Sequence, residues 1–132
     1  MNESFPHKVL IVDDEPHLRA YLRLVVAELG ATDIQEAGDC ANALLMYNFQ
    51  QPDLVLLDVN LPGEDGLAIL EKLFALNPNV RVVMLTAVAS REMVEKCSVA
   101  GALNYLRKDQ PRGQMVTLLR ETWLEACSEQ SA

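Results

Sequence analysis

The sequence predicts an α/β fold, a three-layer sandwich with one parallel five-stranded sheet and helices on both faces. Three observations carry this. Short apolar runs bounded by turn residues recur at Lys8–Val12, Leu54–Leu57 and Val80–Leu85, as strands buried on both faces require. Stretches with apolar residues at helical spacing lie between them. Strand starts recur roughly every 20 to 27 residues with one helix in each interval, which gives parallel βαβ units with short connections.

Lys8–Val12 (KVLIV) is the first strand. Asp13-Asp14-Glu15-Pro16 ends it and opens a helix, with acids expected in the first turn against the positive dipole end and Pro tolerated there. Leu18, Leu22, Val25, Val26 and Leu29 form the buried stripe of that helix, and Gly30 stops it. Asp33–Ala37 is short and partly polar, so it suits an edge strand. Gly38-Asp39 precede a helix from Cys40 to about Phe49, with Ala43, Leu44 and Tyr47 inward. Leu54–Leu57 is a buried strand running into Asp58, after which Pro62, Gly63 and Gly66 break regular structure. Asp65 is a candidate N-cap for a helix from Gly66 to about Leu76, with Leu67, Leu70 and either Leu73 or Phe74 inward.

Asn77-Pro78-Asn79 is a turn before the fourth strand, Val80–Leu85, which ends in Thr86-Ala87. Ser90 is a candidate N-cap for the fourth helix and Gly101 closes it. Leu103–Leu106, containing Tyr105, is a short fifth strand. The loop Arg107–Pro111 opens a last helix to about Cys127, with Met115, Leu118, Leu119 and Trp123 inward, and the polar tail from Ser128 is expected to fray. The three most apolar strands belong in the middle and the second and fifth at the edges. That gives the order 2-1-3-4-5, the flavodoxin-like arrangement.

The 132 residues suit a single domain, with a core from about 7 to 127 and a tail at 128–132. Half the residues are hydrophobic, which excludes a disordered chain, and the formal net charge of -8 argues against non-specific nucleic-acid binding. Cys40, Cys97 and Cys127, without C-x-x-C spacing, form neither a disulfide framework nor a zinc site. There is no signal-peptide pattern, and no apolar run approaches the ~18 residues of a membrane span. A cytoplasmic location is expected.

Parallel first and third strands as neighbours bring Asp13, Asp14 and Asp58 to one sheet edge, where open α/β sheets bind ligands. Two like charges at about 4 Å repel by about 4 kcal/mol at an effective dielectric of 20. Protonation of one carboxylate relieves this, and so does a bound cation. An all-oxygen set with no His or Cys nearby in sequence favours Mg²⁺. A metal that accepts phosphate oxygens beside a free carboxylate suits aspartyl-phosphate formation. Thr86 and Lys108 end the fourth and fifth strands on the same edge, and a hydroxyl and an ammonium are what a phosphoryl group on Asp58 needs. Taken singly, each of these residues has an ordinary reading as a cap, a turn residue or a solvated side chain; the coincidence carries the inference. His7 and His17 are expected to be exposed and not phosphocarriers, Met84, Met93 and Met115 to fill gaps, and Glu64 and Asp65 to be solvated loop acids.

The segments VLIVDDE (9–15), LVLLDVNLPGEDGL (54–67), VVMLTA (82–87) and AGALNYLRK (100–108) resemble a response-regulator receiver domain of the chemotaxis single-domain kind, in family order and at family spacing. The resemblance implies that Asp58 is the phosphoacceptor. It implies that Asp14, Asp58 and the backbone carbonyl of Asn60 hold Mg²⁺, with Asp13 helping through water. It also implies that Thr86 and Lys108 bind the phosphoryl group and that Tyr105 is an aromatic switch. The expected partners are a sensor histidine kinase or histidine phosphotransfer protein and a downstream effector or output domain, with a phosphorylation-linked homodimer open. Nucleic acid and membrane are not expected to contact this domain. No enzymatic turnover beyond phosphorylation of Asp58 and its hydrolysis is expected.

One position departs from the pattern: Asp109 stands where the family usually has Pro after a cis peptide bond. Non-proline cis bonds cost ~2.5–4 kcal/mol, so a trans Lys108–Asp109 bond is expected, or a strained cis one if the site demands it. Asp109 is then a candidate cap for the last helix, and Arg107 a competitor for the place of Lys108. Two alternatives stay open at this stage. One is a phosphorylation-independent interaction module. The other is a haloacid-dehalogenase-type phosphatase, disfavoured because Asn60 stands where that chemistry needs a second acid.

Overall fold

The structure is a computed structural model describing residues 5–88 and 90–131, without the side chains of 129–131. In chain order the elements are β1 (Lys8–Val12), α1 (Pro16–Leu29), β2 (Asp33–Ala37), α2 (Cys40–Gln50), β3 (Leu54–Asp58), β4 (Asn60–Leu61), β5 (Glu64–Asp65), α3 (Gly66–Leu76), β6 (Val82–Thr86), α4 (Arg91–Val99), β7 (Asn104–Arg107) and α5 (Arg112–Ser131). The main sheet has the order β2-β1-β3-β6-β7, all parallel. With β6 and β7 as fourth and fifth sheet strands, this is the expected 2-1-3-4-5.

Alternation along buried strands splits the core in two. Val9, Ile11, Leu54, Leu56, Val83 and Leu85 face α1 and α5, where Leu22, Val25, Val26, Met115 and Leu119 meet them. Leu10, Val12, Val55, Leu57, Val82 and Met84 face the other way, against Ala43, Tyr47, Ile69, Leu70, Leu73 and Cys97 of α2, α3 and α4. Both layers use the same strands, so continuous apolar runs are what the sheet requires. Leu56 is fully buried, and Leu56→Ala is expected to cost about 2–5 kcal/mol in urea unfolding. Leu45→Ala, at a side chain 67% exposed, is expected to stay within about 0.5 kcal/mol.

Several boundaries differ from expectation for identifiable reasons. The acids after β1 are not in the first turn of α1: the helix begins at Pro16 and Glu15 is its N-cap, without a side-chain capping bond. Gly30 does end α1, with φ 122 and its N–H donating to the carbonyls of Val26 and Ala27. Asp65 and Ser90 cap α3 and α4, accepting from the N–H groups of Ala68 and Met93. Ile69 and Val116 are core residues that the periodicity alone did not single out. α5 includes the start of the polar tail and runs to Ser131, and residue 132 lies outside the described residues. Pro62-Gly63 turns a small antiparallel hairpin, β4 with β5, and Gly63 takes the positive φ of 80 that the turn needs. Glu64 is not a free loop acid: it pairs with Lys72. No helix among the described residues is long and apolar enough to cross a membrane.

Candidate functional site: a carboxylate cluster at the sheet edge

The register Asp58↔Leu85 and the pairing of Val12 with Leu57 place the ends of β1, β3 and β6 together. Asp13 directly follows β1 and is fully buried, Asp58 ends β3 at 2% exposure, and Asp14 is exposed. Each offers a carboxylate oxygen, and these oxygens lie within 4.8 Å of one another. The three acids therefore converge as their strand positions dictate.

Asp13 Oδ1 accepts from the Glu15 N–H at 2.8 Å. Asp58 Oδ1 accepts from the Asn60 N–H at 3.1 Å. Lys108, its side chain only 10% exposed, reaches in from the far side of the sheet edge. Its Nζ lies 3.0 Å from Asp13 Oδ2, 3.3 Å from Asp58 Oδ2 and 3.5 Å from Glu15 Oε1. Burial pushes the Asp58 carboxyl up, and the charge of Asp13 adds to this; the Asn60 N–H and Lys108 pull the other way without cancelling it. Burial opposes the Lys108 ammonium, but its hydrogen bond to Asp13 and the charges of Asp58 and Asp13 outweigh that and raise its pKa. One ammonium thus neutralises part of a cluster that holds more negative charge than it can match.

Thr86 is buried at the end of β6. Its hydroxyl donates to the Val88 carbonyl at 2.8 Å and accepts from the Val88 N–H at 3.2 Å, so it serves its own loop. The Lys108 N–H donates to the Thr86 carbonyl at 2.7 Å, which ties the two strand ends together. Tyr105 is half-buried against the α2, α3 and α4 layer. His7 and His17 are exposed, and Cys40, Cys97 and Cys127 are not joined in disulfides.

The loop after Lys108 bears out one expectation and corrects two. No cis peptide bond occurs among the described residues, so the Lys108–Asp109 bond is trans. Asp109 does not cap α5: its two oxygens accept from Arg107 Nε at 3.1 Å and Nη2 at 2.7 Å. Arg107 is held outward by this pair and does not compete with Lys108. Glu15 is the residue near the cluster that sequence reasoning missed. Its only signal was adjacency to the acidic pair, which helix capping explained equally well.

The donor set is made of carboxylate oxygens, with no imidazole or thiol among them, and this chemistry fits a hard divalent cation such as Mg²⁺. A cavity of about 390 Å³ opens beside Asp14 and Asn60, bounded by the hairpin residues Leu61, Pro62, Glu64 and Asp65. A larger one of about 770 Å³ lies against Trp123 and Tyr47, at the amino ends of the strands and away from the carboxylates.

Residues 9–120 match the family model described as "Response regulator receiver domain". Sporulation initiation phosphotransferase F of Bacillus subtilis is 37% identical over 108 residues, 82% of this chain and 83% of that protein. The transcriptional regulatory protein PdtaR of Mycobacterium tuberculosis is 37% identical over 105 residues, 80% of this chain and 51% of that protein. The chain thus spans about half the length of some of the curated relatives it matches. A chain from the crystal structure of the CheX-CheY-BeF3-Mg²⁺ complex of Borrelia burgdorferi superposes with a TM-score of 0.78 at 30% identity, covering 88% of this chain and 87% of that one. Fold, strand order, acidic edge and these matches agree: the chain belongs to the response regulator receiver domain family of two-component systems.

Proposed function

We propose that this receiver domain is phosphorylated on Asp58. The phosphoryl donor is a phosphohistidine on a sensor histidine kinase or histidine phosphotransfer protein. An Asp58 carboxylate oxygen bonds to phosphorus as the P–N bond to the histidine breaks, and the imidazole leaves with that electron pair. The observation that carries this reading is the setting of Asp58. Its Oδ1 is held by the Asn60 N–H and its Oδ2 faces the Lys108 ammonium at 3.3 Å, which fixes the carboxylate between a donor and a cation.

Asp14, Asp58 and the Asn60 backbone carbonyl would hold Mg²⁺, with Asp13 helping through water. When bound, the ion offsets negative charge on the phosphoryl oxygens. The chain's own residues do the rest. Lys108 supplies a fixed cation at the phosphoryl group and keeps Asp13 paired as the charge there grows. Thr86 donates to a phosphoryl oxygen after giving up its bond to the Val88 carbonyl, so the loop after β6 moves with it. Tyr105 then turns into the space freed, and the face made by α4, β7 and α5 presents the changed surface to an effector, an output domain or a second copy. The chemistry is confined to Asp58 and its own hydrolysis, without turnover of a separate substrate, and takes place in the cytoplasm.

The test is labelling by a small phosphodonor such as acetyl phosphate, with and without Mg²⁺, followed by peptide mapping of borohydride-trapped protein. One label on Asp58, requiring Mg²⁺, is the expected result. A label mapping elsewhere, or one indifferent to Mg²⁺, overturns the reading.

A further inference from the structure

We infer that Arg19, anchored by Glu36, is a positioning residue for the loop that carries Asp13 and Asp14. The inference rests on the reading that these carboxylates and Asp58 hold Mg²⁺. Its basis is a full account of what holds Asp13. The Asp13 N–H donates to the Ala37 carbonyl at 3.1 Å. The carboxylate takes the Glu15 N–H on one oxygen and Lys108 on the other. That leaves the Asp13 carbonyl, and Arg19 Nη1 donates to it at 2.7 Å.

The guanidinium that makes this bond is itself fixed. Arg19 Nε donates to Glu36 Oε1 at 2.9 Å, with the Arg19 side chain 21% exposed and that of Glu36 30%. Glu36 belongs to the edge strand β2 beside Ile11, so its side chain shares the face covered by α1. Burial disfavours its charge, but hydrogen bonds from Arg23 and Arg19 hold its carboxyl below the usual range. The guanidinium also passes close to Gly38: a Cβ there would come within 3.4 Å of Arg19 Nη1 and 3.9 Å of the Asp13 carbonyl oxygen. A charge-assisted hydrogen bond from an anchored guanidinium is stronger and more directional than a neutral one. It sets the height of the Asp13–Asp14 peptide above the sheet edge, and hence the reach of both carboxylates toward Asp58. Partners that orient metal-binding residues in this way are typically worth about 10–100-fold in metal affinity.

Arg23 supplies the internal control. It binds the same acid, Nε to Glu36 Oε2 at 2.8 Å, and the Ile34 carbonyl at 3.1 Å, but among the described residues no hydrogen bond joins it to the Asp13 loop. A purely structural role for the cluster would make the two arginines equivalent.

The experiment uses the full chain and its Arg19→Ala, Arg19→Lys and Arg23→Ala variants, with two readouts. One is calorimetric Mg²⁺ titration. The other is amide exchange of Glu15, whose N–H rests on Asp13, in metal-free protein. Arg19→Ala is expected to weaken Mg²⁺ binding at least about tenfold and to speed Glu15 exchange. Arg19→Lys recovers part of both, and Arg23→Ala stays close to the parent chain. Equal effects of Arg19→Ala and Arg23→Ala, or a Glu15 amide indifferent to Arg19, overturn the inference. If Arg19→Ala does not fold, the comparison of Arg19→Lys with Arg23→Ala decides it by the same criteria. A parent chain that binds no Mg²⁺ overturns the reading of the metal site instead, and the metal-free exchange still judges Arg19.

Discussion

Asp58→Asn is expected to reduce acetyl-phosphate labelling to background and, in metal-free buffer, to make the folded chain more stable. Both effects follow from removing the carboxylate, which is at once the nucleophile and a buried charge. Asp58 is almost wholly buried beside Asp13, and burial together with that neighbouring charge raises its carboxyl pKa in the folded state. A raised folded pKa means that the native state holds a proton more tightly than the unfolded chain does. Below the unfolded value both forms are protonated and Asp58 costs nothing. As pH rises through the unfolded value and then the folded one, stability is progressively lost. The amide carries no charge at any pH, so the advantage of the variant opens across that window and persists at neutral pH. A gain of about 1–2 kcal/mol is expected, the like-charge repulsion being partly offset by Lys108. Lys108 is not stranded by the substitution, because Asp13 at 3.0 Å and Glu15 at 3.5 Å remain with it. Mg²⁺ is expected to narrow the gap: an ion at a hundred times its dissociation constant would add about 2.7 kcal/mol to the parent chain, and less to a variant lacking one carboxylate. Urea unfolding over a pH series, with chelator and with Mg²⁺, measures all of this. A variant less stable than its parent at neutral pH without metal would contradict the charge argument.

The second large effect lies at Gly66, the first residue of α3. A Cβ at that position would lie 2.7 Å from Val59 Cα, 2.8 Å from the Val59 carbonyl oxygen and 3.0 Å from the Asp58 carbonyl oxygen. These are backbone atoms, which no rotamer change moves aside. The Gly66 N–H also donates to the Val59 carbonyl at 2.6 Å, so the contact draws the strand end toward the helix. Gly66→Ala must therefore displace the segment that carries Asp58 and Asn60. The expected cost is about 3 kcal/mol, the upper part of the range for overpacking. A shift of about 1 Å at a reacting group costs on the order of 100-fold in rate, so labelling of Asp58 is expected to slow by that amount even in the folded fraction. Gly113→Ala is the matched control: among the described residues, beyond its chain neighbours and the helix's own backbone, no atom lies within 4 Å of its added Cβ, and it sits in α5. There the exchange is expected to be neutral or to stabilise by about 0.5–1 kcal/mol. Stopped-flow labelling and urea unfolding on both variants separate geometry from stability, and a Gly66→Ala chain that labels at the parental rate would refute the role given to close packing.

What the linear chain determined by itself is what depends on type and spacing. Three apolar runs belong in the middle of the sheet, because strands buried on both faces need unbroken apolar side chains, and the polar DIQEA segment suits an edge. Strand order then followed, and with it the meeting of Asp13, Asp14 and Asp58, since all three lie at the end of a central strand or within two residues of it. Only the tertiary structure decided how that charge is shared. Lys108 reaches Asp13 more closely than Asp58, Glu15 joins them, and Arg107 is drawn away by Asp109. It also revealed that Arg19 and Glu36, 17 positions apart, meet over the Asp13 carbonyl. Burial patterns repeat every two or every 3.6 residues and leave a periodic trace, whereas the reach of a long charged side chain depends on distances across the fold and leaves none.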